Sequence, residues 1–221
     1  MTAEVEALDE TERLIDSLGA ELRPVRRLAP PARRALRWLL VVALVALALI
    51  LRFAHLDIVA QRLAQPRIAL ECLATALTGV AAIFAAFILS VPGRSSRWAW
   101  LPVPPLLLWL GASGLGCLKN GLSLHGPAGF FGDSVHCLMF IAGASVPMAA
   151  GLFWMLRHAR PLAPLPVAAL GTLGVAATAA FILQFFHPFD VTVIDLALHL
   201  AAVAIVMGVG LLLRRPLLAA T

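Results

Sequence analysis

Two of the chain's three cysteines stand near the ends of one polar stretch, GCLKNGLSLHGPAGFFGDSVHC, which runs from Gly116 to Cys137. Between Cys117 and Cys137 lie Lys119, His125, Asp133 and His136, spaced by glycines and one proline. Thiolates and imidazoles ligate soft or borderline metals such as Zn²⁺ or Cd²⁺. Two thiols in an oxidising compartment can equally close a disulfide, and reactive thiolates also serve as redox sensors. A third reading is plain burial, because free cysteine packs as a small apolar residue. The separation of the pair matches no compact metal signature, so spacing leaves all three open.

More chemistry lies towards the C-terminus. QFFHPFD carries His187 and Asp190, and VTVIDLALHL carries Asp195 and His199. The last two are four residues apart, so a helix sets them on one face. Ionisable groups inside apolar runs are costly and usually face a protein interior or a wet cavity. Asp195 and His199 are therefore site candidates, although a buried histidine can also serve packing alone.

The elements that must position these groups are apolar helices. The chain is 61% hydrophobic and 13% charged, with a mean hydropathy of +0.93. Such a composition excludes an ordinary soluble domain. Six apolar runs of bilayer-spanning length stand near 35–53, 68–90, 100–118, 134–156, 166–186 and 191–213. Backbone polar groups inside a bilayer must be satisfied within the segment, so the runs are expected as helices. The third run opens with Pro102, Pro104 and Pro105, and its helix is expected to start at Pro104 or Pro105, where a missing N–H costs nothing. The expected fold is an all-α membrane protein, a six-transmembrane-helix bundle with a short cytoplasmic N-terminal amphipathic helix.

Basic charge orients it. Sixteen of the 17 basic residues are arginine, and the sequence pI is about 10.4. The arginines cluster at the ends of apolar runs, which argues against direct nucleic-acid binding. Six spans place both termini on one side. Thirteen basic residues fall on that side, from Arg13 to Arg215, and four on the other: Arg52, Arg62, Arg67 and Lys119. The positive-inside rule then puts both termini in the cytoplasm. In a bacterial inner membrane the Cys117–Cys137 stretch would be periplasmic.

The first thirty residues differ from the rest. They hold seven of the twelve acids, from Glu4 to Glu21. Leu8, Ile15, Leu18 and Leu22 recur at helical spacing, and Leu14 widens the stripe. A lone helix of this length is marginal in water. Its acidic polar face would be repelled by an anionic leaflet, which favours docking into a basic partner; the other reading is a disordered or self-packed solubilising tail.

The residues together resemble a known family. LIDSLGAELRPVRRLAPP, VPGRSSRWAWLP, LWLGASGLGCL, GDSVHCLMF, FHPFD and the HL of ALHLAAV are similar, in order and layout, to the NrsF-type membrane anti-sigma factors. The resemblance covers nearly the whole chain. It implies no enzyme but a negative regulator that sequesters an extracytoplasmic-function sigma factor. It implies a sigma-binding segment within 1–34, with Leu14, Ile15, Leu18, Leu22, Val25 and Leu28 as contacts, and a sensor domain over 35–221. It also implies Cys117 and Cys137 as sensor thiols for metal or oxidative stress. His187 and His199 then join the thiols as candidate ligands of a Zn or Cd ion, and Asp133, His136, Asp190 and Asp195 are secondary candidates. Cys72 falls outside the pattern. The competing functions are a transporter for a metal or small solute, and, less well supported without a CxxC or cofactor fingerprint, an oxidoreductase.

Overall fold

A computed structural model describes residues 2–20, 27–119, 130–186 and 193–218, with the backbone alone for 2–8, 116–119, 130–135, 193–195 and 217. Every regular element among them is helical: α1 (Thr2–Ala20), α2 (Pro31–Phe53), α3 (Leu56–Leu63), α4 (Pro66–Leu89), a 3-10 turn (Ser96–Trp100), α5 (Val103–Lys119), α6 (Phe130–Arg157), α7 (Pro164–Leu183), α8 (Val193–Leu212) and α9 (Arg214–Leu218).

Proline opens three of the long helices, at Pro31, Pro66 and Pro164. There the fixed φ suits the helix and the absent N–H would have had no partner. α5 starts one residue ahead of expectation, at Val103, so Pro104 and Pro105 occupy its first turn. The 3-10 turn precedes this helix and meets the expected run only at Trp100. α6 begins at Phe130 and reaches back into the polar stretch, so that Asp133, His136 and Cys137 all stand on its first two turns. Two short helices, α3 and α9, were not expected; at eight and five residues they fall below the window in which apolar periodicity is legible.

Among the described residues, four helices are long and apolar enough to cross a membrane: Pro31–Phe53, Pro66–Leu89, His136–Arg157 within α6, and Pro164–Leu183. α5 has 17 residues, and the apolar stretch of α8, Leu196–Leu212, is also shorter than these four.

α4 and α7 form the most extensive helix pair. Their backbones approach closely because glycine leaves room. A Cβ on Gly174 would stand 2.8 Å from the Ile83 side chain and 3.0 Å from its backbone nitrogen, and one on Gly79 would stand 2.8 Å from Thr178 Oγ1. Small residues at such contacts let helices gain dispersion energy where lipid supplies no hydrophobic drive. The hydroxyls near the pair are satisfied within their own helices. Thr75 donates to the Glu71 carbonyl, Thr78 to Ala74, Thr172 to Ala168 and Thr178 to Gly174, at 2.6–2.8 Å.

Order along the chain does not set who packs against whom. α5 lies against α4, whereas α6 packs on α8 and α7, and α2 leans on α4 and more lightly on α6. The two helices that carry Cys117 and Cys137 thus have different principal partners, although they follow one another in sequence.

Candidate functional site

The thiol region is built by α6, α7 and α8. Cys137 is 4% exposed and belongs to a cluster with Ile141, Ala179, Ala180, Leu183 and Ala202. α6 supplies Cys137 and Ile141, α7 the alanines and Leu183, and α8 supplies Ala202. His199 is half-buried and sits three residues before Ala202, so the two share a face of α8. Phe140 meets Phe186, beyond the end of α7, at 5.9 Å between ring centres. His136 is exposed one residue before Cys137.

Among the described residues no three His, Cys, Asp or Glu groups stand close enough to hold a metal. Cys117, Asp133 and Asp195 are placed by backbone, on α5, α6 and α8, while His187 and Asp190 lie outside the described residues. The described donors of the expected Zn or Cd site are therefore Cys137 and His199, two where a closed zinc site takes four.

The same end of the bundle carries a polar cluster that sequence reading missed. Glu71 is 3% exposed near the start of α4, and Arg67 Nη1 donates to its Oε1 at 2.7 Å. One turn on, Thr75 receives a weak hydrogen bond from Gln184 Nε2 at the end of α7, at 3.4 Å. Cys72 is buried beside them, and with Arg62 of α3 and Gln184 it lines a small pocket. The signal was legible: Glu71 is an acid inside the apolar run IALECLATAL, and such a residue is a site candidate with a partner to be sought. An arginine four residues earlier is that partner.

At the opposite end of α2 stands Arg34, read from sequence as a topology charge. It is 5% exposed. Its Nη2 donates to the carbonyl of Met155 in the last turn of α6, its guanidinium lies 5.1 Å from the centre of the Phe87 ring of α4, and its Nη1 has no hydrogen-bond partner among the described residues. Helix-terminal carbonyls lack intrahelical donors and carry partial negative charge, so a cation there is favourable. Four residues on, Trp38 Nε1 donates to the Met148 carbonyl at 3.3 Å. Arg34 and Trp38 thereby fasten the root of α2 to α6.

The N-terminal helix presents its apolar stripe to solvent. Leu14, Ile15 and Leu18 are 57%, 61% and 57% exposed, and Leu28, in the connection to α2, is 47% exposed. Asp9 and Arg13 pair across one turn at 2.7 Å. Leu22 and Val25 lie outside the described residues.

The profile of one protein family, described as negative regulator of sigma F, matches residues 18–219. The chain belongs to the NrsF family. No curated protein and no solved structure matches it. Membership makes the chain a negative regulator with a sigma factor as partner, and the family is regulatory rather than a class of enzyme. The matched stretch takes in the end of α1, the connection to α2 and all the apolar helices. Leu14 and Ile15 lie just ahead of it.

Proposed function

We propose that this NrsF-family chain is an integral inner-membrane anti-sigma factor with six spans and both termini in the cytoplasm. It holds an extracytoplasmic-function sigma factor through Leu14, Ile15, Leu18, Leu22, Val25 and Leu28, and lets it go when Cys117 and Cys137 register metal or oxidative stress on the outer face. The observation that carries this reading is the exposed leucine stripe on an acidic helix, in a chain whose family regulates a sigma factor. Burying each of those side chains is worth about 1.5–3 kcal/mol. The surrounding acids would speed capture of a basic partner, while the apolar contacts would set how long it stays.

The six-span reading counts α5 and α8 beside the four longer apolar helices. Seventeen residues of α5 rise about 25 Å, at the lower end of what crosses a bilayer. The burial of Cys137 gives the signal a mechanical form. A metal or an oxidant cannot reach that sulfur until α6 parts from α7 and α8. The far end of α6 is held by Arg34, at the base of the sigma-binding segment, so a movement of α6 has a route to that segment.

The test is co-purification of the sigma factor with the full-length membrane protein. Leu18→Asp should abolish capture and leave the bundle's melting unchanged; Cys117→Ser and Cys137→Ser should keep capture and lose release by metal or oxidant. Capture that survives Leu18→Asp would refute the assignment of the output segment.

A further inference from the structure

Between α2 and α6 runs a cleft of about 530 Å³, open along one side. Val41, Val45 and Leu49 line it from α2, and Ala144 and Pro147 from α6. Among the described residues, the one charged side chain lining it is Arg37, which is exposed and stands at one end. We propose that this cleft is a lipid site: it takes one acyl chain of an anionic phospholipid, with the phosphodiester on Arg37.

Length, width and charge select that occupant. From Arg37 to Leu49 the cleft follows α2 for about 18 Å, close to the depth of one leaflet's hydrocarbon, roughly 15 Å. Its volume spread over that length makes a narrow trough, open along one side, that a single acyl chain can follow. The helices that form the walls are two of the four able to cross a membrane, so the surrounding medium is lipid. A cation at one mouth and an apolar channel behind it match an anionic headgroup followed by its tail. Arg33, one turn before Arg37 and also exposed, adds positive potential at the same mouth. The cleft starts where Arg34 and Trp38 bind α2 to α6, so the bound lipid would wedge the two helices apart below that clasp. The topology proposed above enters only in naming the leaflet, which is then the cytoplasmic one.

The experiment uses the full-length protein, reconstituted with equal phosphatidylglycerol and phosphatidylcholine of the same chain length and released into native mass spectrometry. The wild type should retain one phosphatidylglycerol with about fivefold preference over phosphatidylcholine, the value of one interfacial arginine. Arg37→Gln should lose the preference and keep a lipid. Val45→Trp fills the cleft from a wall position that is 56% exposed, and should lose both lipids. Leu47→Trp, outside the cleft and 51% exposed, should behave as wild type. Equal retention by wild type and Val45→Trp would overturn the proposal. So would loss of lipid in Leu47→Trp as large as in Val45→Trp, or a lipid-free dimer that Val45→Trp dissociates. Because no sigma factor is present, these outcomes are independent of the regulatory reading.

Discussion

α2 and α7 are both apolar helices long enough to cross a membrane, yet their surroundings are opposite. α2 has the higher mean hydropathy over its most apolar window, 2.3 against 1.9, but 11% of that window is buried against 67% for α7. The window of higher hydropathy is the less buried one. In water the reverse would hold. In lipid the surroundings are as apolar as the protein interior, so hydropathy does not separate inside from outside, and close packing does. α7 is rich in glycine and alanine on its buried faces, with Gly171, Gly174, Ala176, Ala179 and Ala180 among them. α2 displays Leu40, Val41, Leu44 and Leu47, each more than half exposed. It is tied to the rest by Arg34 and Trp38 near its start.

This contrast can be attacked by substitution in a detergent-solubilised thermal melt. Gly174→Leu should cost about 3 kcal/mol, because the new side chain meets Ile83 and its backbone where a Cβ already stands at 2.8–3.0 Å. A melt unchanged by Gly174→Leu would mean that the α4–α7 contact is not the structural centre. Glu71→Ala should cost about 2 kcal/mol by leaving Arg67 without its 2.7 Å carboxylate partner, and Glu71→Gln should recover part of that. Trp38→Phe keeps the ring's bulk and removes the indole donor to Met148; a loss of about 1 kcal/mol is expected. Leu44→Ala, on the exposed face of α2, should shift stability by less than about 0.5 kcal/mol. A loss from Leu44→Ala as large as that from Trp38→Phe would show that α2 is covered by protein along its length.

The same contrast explains what could be read without coordinates. The long apolar segments were all legible, with most ends within a few residues, because apolar length and proline starts are local properties. Cys137 and His199 were named from their types, and the structure brings their helices together around Ala202. The neighbours of α5 were not legible. Although α5 and α6 follow one another in sequence, α5 settles on α4 while α6 settles on α7 and α8. Arg34 was counted among thirteen alike charges, and nothing in its local sequence distinguishes it from the exposed Arg33 and Arg37. Its burial follows from where the last turn of α6 and Phe87 of α4 arrive.

Sequence alone established that this chain is helical and membrane-suited, that its first helix is acidic with a leucine stripe, and that it has the pattern of its family. Those properties depend on composition, period and order, which neighbouring residues already contain. Tertiary structure decided that α4 and α7 form the centre, that Glu71 and Cys72 are buried at the thiol end, and that Arg34 clasps α6. These outcomes turn on which glycine faces which side chain across a helix pair, and apolar sequence in an apolar solvent carries no record of that.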